Sequence, residues 1–276
     1  MQLYKAELDV GIATLDVATA RTFYQEVMGL QVLPATSMGK IGTTSRLRVG
    51  NHVLKLFDFA KPPERSEGGT DKANGMRLLA FILDDLDAVL ARMDAVGHPY
   101  RKLALPDNAP FRVAFANDAD GNALELVGLL RPAGDRLQAR LQIGLTVSDI
   151  ARARHFYGEL LGLQEEPEMK LPRSMGVVGN TRYGFIAGKT TIKFWSRGDG
   201  LPIHSGAPGR RTGIRLITAF VDDVDVLHEE LVGRGVTIKI APYDFEDSAR
   251  VMFIADPDGN WIEFVTSKTP SAGAVG

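Results

Sequence analysis

The 276-residue chain contains no cysteine. Disulfides, thiol nucleophiles and thiolate metal sites are thereby excluded, and the composition suits a reducing compartment. An excess of one charge is missing too: 32 Lys and Arg stand against 34 Asp and Glu. No strong field draws such a chain to nucleic acid or anionic lipid. No apolar run approaches the ~20 residues that span a bilayer, and the opening MQLYKAELDV is not a signal peptide. The expectation is a cytoplasmic protein whose partner is a small molecule rather than nucleic acid or membrane. Histidine is scarce, and the five present do not form a set. His98, His155 and His228 fall on or beside helices, and His52 adjoins a turn.

What the chain does have is repetition. DVGIATLDVATARTFYQEVMGL (9–30) returns as QIGLTVSDIARARHFYGELLGL (142–163), and DADGNALELV (118–127) returns as DPDGNWIEFV (256–265). The first offset is 133 and the second 138, so five extra residues lie between Leu163 and Lys193. One domain has been duplicated. Each half divides again, because a short apolar strand, an Asp and an amphipathic helix also occur at LLAFILDDLDAVLARM and LITAFVDDVDVLHEEL. Apolar residues recur at helical spacing in all four, as in Ala20/Phe23/Tyr24/Val27 and Leu86/Val89/Leu90/Met93. Asp16, Asp85, Asp149 and Asp223 precede the helices as N-caps, and Gly29, Gly97, Gly162 and Gly235 end them.

Short β-rich runs follow each helix, so each unit reads βαβββ. The fold class is α+β, with two units side by side building a curved eight-stranded mixed sheet around a cup. The expected organisation is a first domain at 1–130, a linker at 131–138, a second domain at 139–268 and a tail at 269–276. DxDGN resembles a fragment of a calcium loop, but without the rest of a twelve-residue loop it reads as a turn between strands.

FYQEVMGL and FYGELLGL, with the closing DADGNALEL and DPDGNWIEF, resemble the vicinal oxygen chelate superfamily over nearly the whole chain. That superfamily includes glyoxalase I, extradiol dioxygenases, methylmalonyl-CoA epimerase and bleomycin-resistance proteins. The resemblance implies four βαβββ units forming two glyoxalase-type domains. It does not fix the chemistry, since the superfamily keeps the cup and changes the reaction.

In related metalloenzymes a divalent ion sits at the bottom of the cup, held by the first and last strands of two units. The matching positions here are Asp9, Leu78, Gln142 and Leu216, and Lys55, Glu125, Lys193 and Glu263. If each half builds its own cup, one holds Asp9, Lys55, Leu78 and Glu125 and the other Gln142, Lys193, Leu216 and Glu263. Leucine cannot ligate, and an ammonium repels a cation. No metal and no cofactor is therefore expected. An ammonium in the cation's place pairs with the facing carboxylate, Lys55 with Glu125 and Lys193 with Glu263. These are candidate catalytic pairs for acid–base chemistry or oxyanion stabilisation; they also read as ion pairs left by decayed metal sites.

Strand alternation places Trp195 and Trp261 in the second cup with Gln142 and Thr146, so that cup is expected to hold the ligand. Core filling is the plainer account of the tryptophans. Arg112 and Arg250, with apolar Phe111/Val113/Phe115 and Val251/Phe253 on the opposite parity, are placed toward the cups as carboxylate anchors; a rim salt bridge is the alternative. His204 in the loop GDGLPIHSGAPGRR (198–211) is a substitute acid or base on a lid, or a solvated loop residue. Asp9 is a further substrate-contacting candidate. The function so implied is a metal-independent isomerase or lyase acting on a small oxygenated, aromatic or carboxylated metabolite. The alternatives are a non-catalytic binding or resistance protein and a metal-dependent lyase or dioxygenase with atypical ligands. Either a monomer or a homodimer suits fused pseudo-symmetric halves.

Overall fold

The computed structural model describes residues 2–130, 140–198 and 200–268. The expected linker at 131–138 and tail at 269–276 lie outside them. Four units follow one another. The first holds β1 (Asp9–Ala13), α1 (Val17–Thr22, continued by a π-helical turn, Phe23–Val27), β2 (Gln31–Ser37), β3 (Gly42–Val49) and β4 (His52–Phe59). The second holds β5 (Gly75–Leu83), α2 (Leu86–Ala95), β6 (Tyr100–Lys102), β7 (Phe111–Asn117) and β8 (Ala123–Leu129). The third holds β9 (Leu141–Thr146), α3 (Ile150–Arg154, then a π-helical turn, His155–Leu160), β10 (Gln164–Glu165), β11 (Met169–Lys170), β12 (Thr181–Ala187) and β13 (Thr190–Trp195). The fourth holds β14 (Gly213–Phe220), α4 (Val224–Gly233), β15 (Ile238–Phe245), β16 (Ala249–Ala255) and β17 (Trp261–Ser267).

The local rules hold. All four capping aspartates accept backbone amides of the first turn, which satisfies donors that a helix start leaves unpaired. The stripe residues Tyr24, Met93 and Tyr157 are fully buried between helix and sheet. None of the helices among the described residues is long and apolar enough to cross a membrane.

The partnership of the units corrects the sequence expectation. One sheet has eight strands in the order β15-β16-β17-β14-β1-β4-β3-β2, and the other nine, β10-β12-β13-β9-β5-β8-β7-β6, with β11 attached to β12. The first unit therefore shares its sheet with the fourth, and the second with the third. The joins are antiparallel, Asp9 facing Thr218 in one and Gln142 facing Ala80 in the other. Units of the same half meet instead through their helices. Tyr24 lies 6.3 Å from Phe81, and Arg92 Nε donates to the carbonyl of Val27 at 2.8 Å. Helix packing thus occupies the contact within a half, and the free edges of β1 and β5 are closed by the other half.

The two DxDGN segments are turns that tie α1 and α3 to the sheets. Asp118 accepts from the Tyr24 hydroxyl at 2.7 Å, from Asn122 through backbone and side chain, and from Asp120 N. Asp256 repeats this with Tyr157, Asn260 and Asp258. Burial pushes the Asp256 carboxyl up to about 6, the donated bonds offsetting only part of that cost. A carboxyl raised in the native state binds its proton more tightly there than in the unfolded chain, where it titrates near 3.8. The native state is therefore favoured as pH falls through 6, the reverse of the usual salt-bridged aspartate. Between pH 7 and pH 5 this group adds about 1 kcal/mol of stability. Urea unfolding at both pH values should show wild type gaining that amount relative to Asp256→Asn; an unchanged difference would count against this titration.

Candidate active site

The concave face of the eight-stranded sheet encloses a cavity of about 690 Å³, within the range of small-molecule sites. Alternation along the strands sets its lining. Lys55 and Phe57 come from β4, Arg46 from β3, Leu216 and Phe220 from β14, Val251 and Phe253 from β16, and Trp261, Glu263 and Val265 from β17. Residues of opposite parity, such as Val10, Ile12, Leu54 and Ile262, are buried in the core. Gly11 makes the floor possible. A Cβ there would lie 2.4 Å from the Phe57 ring and 3.0 Å from Leu216 Cβ, so the ring lies flat across β1 only because that side chain is missing.

On this floor Lys55 Nζ donates to Thr218 Oγ1 at 2.8 Å and to Glu263 Oε2 at 3.3 Å, while the Thr218 hydroxyl donates to the same Glu263 oxygen at 2.6 Å. Three polar groups from β4, β14 and β17 satisfy one another, with Lys55 and Glu263 side chains 19% and 16% exposed. The third ammonium proton and Glu263 Oε1 are left for a ligand, since no hydrogen bond among the described residues uses either. Tyr243 also lines the cavity; partial burial and then the charge of Glu263 raise its phenol above its ordinary value, keeping it a neutral donor.

The expected pairing is corrected accordingly. Lys55 meets Glu263, not Glu125, and Lys193 meets Glu125, not Glu263. The cause is the sheet exchange described above. The tryptophans are separated by the same exchange, Trp261 in the open cup and Trp195 in the nine-stranded sheet.

The expectation that the second cup is the ligand site also changes. In the nine-stranded sheet Trp195 lies over Gly144, whose Cβ would be 2.9 Å from the ring, and packs with Leu78 and Val177, and with the partly buried Leu171 and Ala123. Leu171 and Val177 belong to the segment between β11 and β12, which carries the surplus length of the third unit. That segment is held to β13 by Val178 N donating to the Ser196 carbonyl at 2.9 Å and by Arg197 donating to the Met175 carbonyl. Apolar side chains thus pack on the strands that carry Lys193 and Glu125, whose side chains are 8% and 21% exposed. Gln142 and Thr146 are in this sheet, the Thr146 hydroxyl donating to the Thr70 carbonyl at 2.7 Å.

Other candidates fall outside the cups. Arg250 chelates Asp225 of α4 and also pairs with Asp244, and Arg112 chelates Asp87 of α2. Both point to the helix side, because Val251 and Phe253 take the cup-facing parity. These carboxylates hold the Arg250 guanidinium well above its ordinary value. His204 contacts Ser66 Oγ through Nδ1 at 3.2 Å, and the loop reaches the cup rim through Pro208 and Gly209 instead. Asp9 is 3% exposed, and one of its oxygens accepts from both Lys5 and Val53 N. Arg46 and Tyr243 were not anticipated. Arg46 was findable, since it is four residues before the Gly50–Asn51 turn, as Lys55 is four after it.

The residues at the family's ion positions in the open cup are Asp9, Lys55, Leu216 and Glu263. They do not fit a divalent ion: one is apolar, one is cationic and bonded to Glu263, the only carboxylate among the described residues that line the cavity, and Asp9 is engaged elsewhere. Among the described residues no group of three or more His, Asp or Glu is placed to hold a metal ion.

Comparison with known proteins agrees with this architecture. Glyoxalase I from Zea mays superimposes with a TM-score of 0.73 at 18% identity, covering 94% of this chain and 92% of that one, a likeness of fold alone. Two single-domain relatives match less than half the chain. Uncharacterized protein YaeR of Escherichia coli is 30% identical over 124 residues, 42% of this chain and 91% of its own length. Uncharacterized protein YwkD of Bacillus subtilis is 29% identical over 127 residues, 45% of this chain and 97% of its own. The model of the Glyoxalase/Bleomycin resistance protein/Dioxygenase superfamily matches twice, at residues 8–126 and 140–264. The chain is a two-domain member of that superfamily.

Proposed function

We propose that this protein is an enzyme that moves a proton on a small oxygenated compound held in the open cup, as an isomerase or lyase, without a metal ion. The observation that carries this reading is the fixed position of Lys55 Nζ, bonded to Thr218 and Glu263 on the floor where related metalloenzymes hold their cation. An ammonium there supplies positive charge to an oxygen that becomes an oxyanion. Glu263 Oε1 is the base: it takes a proton from the carbon beside the carbonyl, the C–H electron pair forms the enolate, and Lys55 stabilises its oxygen. Return of the proton to the same or a neighbouring carbon completes an isomerisation. Aromatic walls from Phe57, Phe253 and Trp261 favour a flat substrate. One chain supplies the whole floor, so a monomer is expected to suffice.

A binding or resistance role is the second reading. It is favoured by the mutual satisfaction of Lys55, Thr218 and Glu263, which keeps the floor stable without turnover. The donor set disfavours the metal-dependent alternative.

Protein freed of metal with EDTA is to be incubated in D2O with phenylpyruvate and with phenylacetone, and loss of the benzylic proton signals followed by NMR against the spontaneous rate. Acceleration of at least one is expected. Saturable quenching of Trp261 without exchange would assign the binding role, and activity that returns only with added Mn, Fe, Ni or Zn would overturn the metal-free reading.

A further inference from the structure

Among the described residues, four cationic side chains line the open cup, Lys40, Arg46, Lys55 and Lys61, against a single carboxylate, Glu263. Glu263 is already committed to Lys55. Arg46 makes no hydrogen bond or ion pair with any described residue, and it is only partly exposed. It faces Lys55 directly across the antiparallel β3–β4 pair. Side chains so placed have Cβ atoms about 5 Å apart, and like charges directly opposite destabilise a sheet. A partly buried guanidinium beside an ammonium, with no carboxylate of its own, is a site that lacks an anion. Its planar fork matches a carboxylate in two-bond geometry.

We infer that the cup selects flat aromatic carboxylic acids, with Arg46 as the specificity-determining residue that anchors the carboxylate. This deepens the proposed function and rests on that reading of the cup. The carboxylate lies against Arg46, which leaves the free proton of Lys55 to the oxygen that becomes the enolate. The ring then lies against Phe57 and Trp261, the latter 5.5 Å from Phe253. Lys40 and Lys61 at the rim draw anions in without contacting the ring.

The test is calorimetric binding of 1-naphthoate and of its uncharged analogue 1-naphthalenemethanol to the full-length protein, in phosphate-free buffer. Wild type is expected to favour the naphthoate by about 10-fold or more, the scale of one charge-assisted hydrogen-bonded pair. Arg46→Met should abolish that preference while leaving the alcohol's affinity unchanged, which also reports an intact fold, and Arg46→Lys should restore part of it. Equal affinities in wild type, or a preference that survives Arg46→Met and is lost in Lys55→Met, would overturn the assignment of Arg46 while leaving a ligand in the cup. Failure of both probes to bind would overturn this inference and the proposed cup together.

Discussion

Replacing Glu125 by leucine is expected to destabilise the protein by about 3 kcal/mol or more, the cost of leaving a buried charge without its partner. Lys193 is bonded to Glu125 and its side chain is 8% exposed, on the strand that carries Trp195. Lys193→Met is expected to cost less, because the Glu125 side chain is 21% exposed and retains access to water. The double variant Lys193→Met/Glu125→Leu should recover most of the loss, since an apolar pair suits the surrounding cluster. Urea unfolding of the three variants measures this directly. A double variant as unstable as Glu125→Leu would show that the pair does more than satisfy itself.

The largest functional effect is expected at the other pair. Glu263→Gln removes the base and should slow proton exchange by roughly 10²- to 10⁴-fold, the usual contribution of a positioned proton acceptor. Lys55→Met should cost roughly 10²- to 10³-fold, on the scale of a lost oxyanion donor. Arg250→Gln, which breaks a surface chelate on the helix side, should leave the rate unchanged. The same NMR exchange assay reads all three. A rate that survives Glu263→Gln would remove that carboxylate from the reaction.

Much of the fold was legible because its signals are local. Helical spacing, capping aspartates and the repeated closing turns each act over a few residues, and each appears where the sequence places it. The partnership of the units was not legible. Whether β1 meets β5 or β14 depends on which edges remain free once the helices of one half have packed, as Arg92 of α2 bonds to the Val27 carbonyl after α1, and no local pattern encodes that. The pairing errors at the site followed from this one. Lys55 and Glu263 were both recognised, yet each was given a partner from its own half instead of the other, and Trp195 was grouped with Trp261 although they belong to different sheets. Arg250 failed for a different reason. A strand between helix and cup has apolar positions on both faces, so alternation alone did not say which face held Val251.

The most direct measurement of the central claim is a pair of double-mutant cycles in unfolding free energy. The account predicts coupling of about 1 kcal/mol between Lys55→Met and Glu263→Gln, and coupling between Lys55→Met and Glu125→Gln that vanishes within about 0.5 kcal/mol. Coupling of Lys55 to Glu125 and not to Glu263 would mean that each half closes its own cup, and would contradict the site described here.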